Sequence, residues 1–321
     1  MRRREFITLL GGAAAWPLAA RAQEPGRTYR LGVLAIGARQ QSPPQVAFFD
    51  ELQLSGFIEG QNLVVLPDGF GVPVNQLAAR AAAMVRLAPD VLVGVGELAT
   101  RALQQETQTI PIVGSAEDMR AAGLVASPAR PDGNLTGQSL LSPELDRKRL
   151  DILIEAVPTA RRVAALADTT QSPAVHTKAL QDAARERGVE LSVVGYARRE
   201  DIASALDAVK ASGAQALNAL ASPLLPPDRV IERMLELRIP AIYQWPETAE
   251  NGGFAAYGPR VVIWYRERAR MVVKILRGVK PADLPVEQPR KLELVINLKA
   301  AKAIGHEVPA GLVLRADKVI E

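Results

Sequence analysis

Gly94-Val95-Gly96-Glu97-Leu98-Ala99 has the spacing of a cofactor motif, and it raises the first question of chemistry in this 321-residue chain. It formally fits the G-x-G-x-x-A dinucleotide fingerprint, in which small residues let the backbone approach a pyrophosphate at a helix start. The stretch follows a later strand of its half rather than the opening one, so an exported Rossmann-type oxidoreductase stands only as an alternative. His176 and His306 are the only histidines; they are far apart, lack metal-ligand spacing and read as surface residues. Asp168-Thr169-Thr170 and the serines have no nucleophile elbow or nearby base signature, so hydrolysis has no support. With no cysteine, thiolate metal sites, cysteine nucleophiles, disulfides and an acylated-cysteine anchor are all excluded. No metal and no cofactor is expected, and the chain reads as a binder rather than an enzyme.

Another group of residues has a different logic. Gly37, Gly96, Ser115, Thr136, Asp168, Tyr196, Ser222, Gln244 and Tyr257 are each small, polar or aromatic, and each follows a short apolar run. In open α/β sheets ligands bind at the carboxyl ends of the strands, where loops and helix N-termini present backbone N–H groups. A strand end is also polar simply because the chain is leaving the core, so the set carries more weight than any member.

The elements that must position these residues alternate short β-rich runs with longer amphipathic segments, which is the pattern of βα units around parallel sheets. The first half predicts strands at 29–36, 63–66, 91–95, 110–113 and 135–138, with a helix over 75–87 that Asn75 can cap. Ser142-Pro143-Glu144 joins a capping hydroxyl, a proline at the first helical position and an acidic first turn, and marks a change of lobe. The second half predicts strands at 162–167, 190–195, 214–221, 240–243, 254–257 and 292–296, a long helix over 260–276 and a proline-rich crossing at 281–289.

The N-terminus carries the address. Arg3-Arg4-Glu5-Phe6-Ile7, an apolar stretch over 6–20 and Ala20-Arg21-Ala22 are the three parts of a cleaved export signal, and the arginine pair points to the twin-arginine route. Cleavage after Ala22 is expected, leaving 299 residues in the periplasm without a lipid anchor. Removing four arginines and one glutamate leaves 35 basic against 34 acidic residues, a net charge of +1. No Lys/Arg stripe with interleaved aromatics points to nucleic acid.

Several long motifs carry a family resemblance. The run 123–137 (GLVASPARPDGNLTG), Lys148-Arg149-Leu150, Ile239-Pro240-Ala241-Ile242-Tyr243, Gly252-Gly253-Phe254 with Tyr257-Gly258, the run 280–289 (KPADLPVEQP) and Leu294-Val295-Ile296-Asn297-Leu298-Lys299 resemble the tryptophan/tyrosine-type substrate-binding proteins of ABC transporters. The resemblance covers essentially the whole mature chain. It implies an α/β fold of two Rossmann-like lobes, each a parallel sheet flanked by helices, joined by three crossovers as in type I periplasmic binding proteins. The lobes are expected at 23–138 plus 252–284 and at 139–251 plus 285–321, with crossovers near 136–141, 250–253 and 285–290.

The implied function is capture of a small solute, an amino acid or related amine-bearing compound, by hinge closure. Delivery to an inner-membrane permease by a monomeric protein follows. A sensor that presents its closed form to a membrane receptor is the alternative. The first lobe is expected to bind through Gly37, Gly96, Glu97, Ser115, Asp118, Thr136 and Gly137. The second is expected to use Asp168, Thr169, Tyr196, Ser222 and Gln244, with Trp245 and Tyr257 as stacking walls; Trp245 could equally be a core residue at a turn. Glu97 at a helix start and Asp118 on the neighbouring exit loop predict that the solute turns an amine toward lobe one. The competing reading is that Glu97 merely suits the helix dipole.

Overall fold

The computed structural model describes residues 26–321 apart from 40–41, 132, 141, 171–173 and 223. The export signal over 1–22 lies outside these residues. Strand β1 (Tyr29–Ala35) reads YRLGVLA, a nearly unbroken apolar run of the kind that a parallel strand covered on both faces requires. It is followed by α1 (Pro43–Leu54), whose two leading prolines suit the first helical positions, β2 (Leu63–Val65), α2 (Leu77–Arg86), β3 (Val91–Val95), α3 (Glu97–Glu106), β4 (Ile112–Ala116) and β5 (Leu135–Ser139). These strands form one sheet in the order β2-β1-β3-β4-β5, parallel throughout.

The chain then enters a second layer with α4 (Ser142–Ala156), β6 (Arg162–Asp168), α5 (Ala174–Glu186), β7 (Glu190–Tyr196), α6 (Ile202–Ala211), β8 (Ala216–Ala219), α7 (Pro227–Leu237), β9 (Ala241–Tyr243), α8 (Pro246–Glu250) and β10 (Ala255–Gly258). Helix α9 (Val261–Leu276) goes back to the first lobe, where it packs on α1 and shares a core with Tyr29, Leu31, Phe48, Leu52 and Phe57. The segment after α9 stays beside β5: Glu287 N donates to the Gly137 carbonyl at 2.9 Å and Ser139 N donates to the Glu287 carbonyl at 2.9 Å. The chain ends in the second lobe with β11 (Glu293–Asn297), α10 (Leu298–Ala303), α11 (Ala310–Val313) and β12 (Lys318–Ile320). The second sheet runs β12-β11-β10-β9-β8-β6-β7, parallel except for the β10/β11 pair.

The α/β architecture of two mostly parallel sheets agrees with the expected fold. Two boundaries need correction: Glu287, expected in lobe two, bridges to β5 in the first sheet, so the last crossing follows it. Residues 252–258, expected in lobe one, lead into and form β10, which bonds to β9 and β11 inside the second sheet. The second crossing therefore falls at 259–260 rather than 250–253, because Gly252-Gly253 serves a turn within the lobe and not an exit from it. Ile36, just beyond β1, packs against cores of both lobes, so the lobes meet at the carboxyl end of β1.

Candidate functional site

Local geometry at the first sheet's carboxyl edge follows from small residues. Gly96 links β3 to α3 with φ 89°, a left-handed conformation that suits glycine. A Cβ on Gly94 would come within 2.6 Å of Thr100, so only glycine lets α3 start this close to the sheet. Thr100, fully buried, donates to the Gly96 carbonyl at 2.8 Å and accepts from Ser115 N at 3.1 Å. The Ser115 hydroxyl accepts from Gly96 N at 3.0 Å. The glycine motif is thus a turn whose amide is already bonded to the neighbouring strand.

Between the lobes lies a cavity of about 170 Å³. Gly96, Ser115 and Glu117 line it from lobe one, Ser222, Gln244 and Trp245 from lobe two, and Trp264, Tyr265 and Arg268 from α9, which starts at the crossing. A second chamber of about 160 Å³ opens inside lobe one, walled by Phe48 and Phe49 of α1, Phe70, Gly37 and the valines of β1 and β3. Val95, Tyr265 and Arg268 line both, so the two chambers adjoin. Arg39, held by Glu59 at 3.0 and 2.5 Å, lies 4.5 Å from the Phe49 ring centroid and 5.7 Å from that of Phe70.

Arg268 is 3% exposed. Its Nε donates to Gln138 Oε1 at 3.1 Å, and Gln138 Nε2 in turn donates to the Trp264 carbonyl at 3.1 Å. Burial lowers the Arg268 pKa, with the charge interaction and side-chain hydrogen bond to Tyr265, whose ring centroid is 4.8 Å from the guanidinium, acting in the opposite sense. Gln244 is also buried, and neither atom of its amide has a hydrogen-bond partner among the described residues. These two side chains put unspent hydrogen-bonding capacity on opposite walls of the interlobe cavity.

Of the residues expected at the site, Gly37, Gly96, Ser115, Ser222, Gln244 and Trp245 line the chambers. The others have different partners. Glu97 pairs with Arg101 one turn along α3 at 2.8 Å. Asp118 closes its own turn, accepting from Arg120 N at 2.9 Å and Ala121 N at 3.0 Å. Neither carboxylate lines the cavity; Glu117, next in the chain to Asp118, does. Thr136 donates to the Leu284 carbonyl at 2.7 Å, and a Cβ on Gly137 would meet the Gly114 carbonyl oxygen at 2.0 Å, so both serve packing within lobe one.

In lobe two, Asp168 is buried, accepting from Thr170 N at 2.9 Å and from the Ser222 hydroxyl at 2.6 Å. Thr169 bonds the Tyr196 carbonyl, and burial drives the Tyr196 hydroxyl pKa well above its ordinary value, partly offset by Ser222. This trio braces the strand ends that carry Ser222. Tyr257 packs against the core beneath α4 and offers its carbonyl to Arg149, so it forms no stacking wall. His306, expected at the surface, is half-buried, with Nε2 2.8 Å from the Ala156 carbonyl and the ring edge-on to Phe254.

The residues that strand-end reasoning missed are Phe48, Phe49, Phe70, Trp264, Tyr265 and Arg268. A signal for the last three was available: Trp264 and Arg268 sit i, i+4 on a helix, with arginine in phase with the apolar face of Ala269, Val272 and Leu276.

Among curated proteins, the chain is 22% identical over 268 residues to a tyrosine-binding protein of Clostridioides difficile (strain R20291), covering 80% of this chain and 75% of that one. Among solved structures, a conserved domain protein from Vibrio cholerae superposes with a TM-score of 0.81 at 26% identity, over 91% of this chain and all of that one. An ABC domain from Streptococcus pneumonia in complex with L-Trp gives 0.78 at 22% identity with the same coverage. A ligand-free, open substrate-binding protein with adhesive properties from Clostridium difficile gives 0.61 at 20% identity over 92% of this chain and 99% of that one. The model of the ABC transporter substrate binding protein family matches residues 50–320, and on that match the chain belongs to this family.

Proposed function

We propose that this protein captures an amino acid with an aromatic or apolar side chain between its two lobes and hands it to the membrane permease of an ABC importer. One observation carries the reading. The interlobe cavity draws its lining from both sheets and from α9 at the crossing, so contacts complete only when the lobes meet. A ligand shifts such an equilibrium by its preference for the closed state, which here means reaching Gln244 and Trp245 as well as lobe one. The adjoining chambers, about 160 and 170 Å³, stand at the lower end of small-molecule sites (roughly 300–1,000 Å³ in all), a size for an amino acid rather than a dinucleotide. The tyrosine-binding relative and the L-Trp complex support the same class.

Substrate-binding proteins of this family act outside the cytoplasm, and export through residues 1–22 with cleavage after Ala22 completes the proposal. No helix among the described residues is long and apolar enough to cross a membrane. Isothermal titration of the exported protein with the twenty amino acids tests the capture reading: saturable binding of tryptophan, tyrosine, phenylalanine or leucine without turnover is expected. Failure of all twenty, with a dinucleotide recovered from purified protein, overturns it. Changing Arg3 and Arg4 together to Lys should leave uncleaved precursor in the cytoplasm, and normal export of that variant assigns the general pathway instead.

A further inference from the structure

Arg268 poses a problem that the fold alone does not solve. A buried guanidinium normally has a carboxylate partner, because an unpaired charge inside a protein costs several kcal/mol. Arg268 takes part in no ion pair among the described residues, and its Nη1 has no hydrogen-bond acceptor there. Its neutral anchors are Gln138, itself oriented by the Trp264 carbonyl, and the neighbouring Tyr265 side chain. The side chain is therefore held in place by neutral groups, with Nη1 left unbonded, at the neck shared by the two chambers.

On one side of that neck lie Phe48, Phe49 and Phe70; on the other lies the unbonded Gln244 amide. Resting on the capture reading above, we infer that the solute carries a carboxylate that accepts from Arg268 Nη1 at the neck. Its aryl or branched-alkyl body fills the lobe-one chamber, and its remaining polar group faces Gln244 in lobe two. Arg268 is in this sense the solute's counter-ion and the selector for acids over amines. A site built to hydrogen-bond one group rejects an analogue lacking it, because the protein's own donor is then left buried and unpaired.

Titration of the wild-type exported protein with L-tryptophan, indole-3-propionate, tryptamine and L-tryptophanamide tests this, with the tyrosine, tyramine and 3-(4-hydroxyphenyl)propionate series beside it. Tryptamine and the amide should bind roughly 10- to 100-fold more weakly than the amino acid, the range of a charge-assisted bond, while indole-3-propionate stays within about tenfold. Arg268→Gln should remove that preference, weakening tryptophan to the level of the amide and leaving the amide unchanged, and Arg268→Lys should restore part of it. Tryptamine binding as tightly as tryptophan overturns the inference, as does an Arg268→Gln protein that loses acid and amide equally. If Arg268→Gln does not fold, the wild-type ligand series decides alone. Amines binding without acids sinks the counter-ion role and spares solute capture; silence from every probe sinks both.

Discussion

Arg149 in the second lobe and Arg268 in the first are both closed off from water, and their surroundings differ in one respect. Around Arg149 the protein supplies everything: Asp146 accepts from Nε and Nη2, and the Tyr257 carbonyl accepts from Nη1 at 3.0 Å. Asn218 then bonds the Asp146 carbonyl oxygen at 3.1 Å, so the first helix of the lobe is tied to β8 and β10. Around Arg268 there is a glutamine, an aromatic ring and a cavity wall. A buried cation satisfied from within is architecture, whereas one satisfied only in part is an address for something that arrives later.

The contrast breaks if the two arginines respond alike to substitution. Arg149→Gln leaves Asp146 as a buried carboxylate without its cation and should cost about 3–5 kcal/mol in chemical denaturation, enough to unfold a marginal lobe. Arg268→Gln orphans no carboxylate and should cost no more than about 1–2 kcal/mol in the absence of solute. Equal losses would mean that Arg268 is structural too.

A related expectation separates site from scaffold within lobe one. Gly137→Ala forces a methyl against the Gly114 carbonyl and should cost about 1–3 kcal/mol of stability. Its effect on affinity should be small once the folded fraction is accounted for, as paired denaturation and titration would reveal.

A third arginine sharpens the comparison through pH. Arg260 starts at the second crossing and bonds Glu250 at 2.7 Å and Glu293 at 2.8 Å. Burial raises the pKa of both carboxyls, but bonds from Lys318 and Arg260 to Glu250, and from Lys291 and Arg260 to Glu293, outweigh it and hold both below the ordinary value. Groups with depressed folded pKa values stabilise fully above the unfolded value, about 4.3, and lose that contribution as pH falls through the folded value. Melting temperature should thus drop on acidification below about pH 4.5, and Arg260→Gln should flatten that limb. An unchanged limb would remove the cluster from the account.

The smallest effect belongs to Glu97. Its pairing with Arg101 along α3 is worth about 0.2–0.5 kcal/mol, so Glu97→Gln should barely alter stability and should leave solute affinity unchanged by calorimetry. A tenfold loss would return Glu97 to the binding surface.

Much of the scaffold was legible in the chain. Continuous apolar runs bounded by glycine or polar residues predicted β3 at 91–95 with its bounds intact, and the 3.6-residue pattern placed α9 to within one residue at its start. What was not legible has particular causes. β10 looks like the start of a new lobe because Gly252-Gly253 precedes it, yet sheet membership depends on hydrogen bonds to β9 and β11, which lie elsewhere in the chain. β12 is three residues long and half exposed, too short for period-two alternation to register. The cavity lining was only partly legible because strand ends announce themselves by a polar residue after an apolar run, whereas Phe48, Tyr265 and Arg268 sit on helices. There, aromatic and aliphatic residues pack a core and wall a cavity with the same spacing, and only the incongruous arginine distinguishes the two.

Helix α9 has a mechanical consequence. It leaves the crossing at Arg260 and carries Trp264 and Arg268 at about 6 and 12 Å along its axis, given 1.5 Å of rise per residue. In a hinged body the distance a point travels grows with its lever arm, and these groups lie close to the fulcrum. Under the proposed closure they would stay nearly stationary while the outer rims of the lobes swing, so the neck would be assembled before the lobes meet. Trp245, on the other lobe, would move with the gap. Of the three tryptophans, Trp16 lies in the segment expected to be removed, which leaves two indoles with different duties: emission from Trp264 would report occupancy, and emission from Trp245 would report swing.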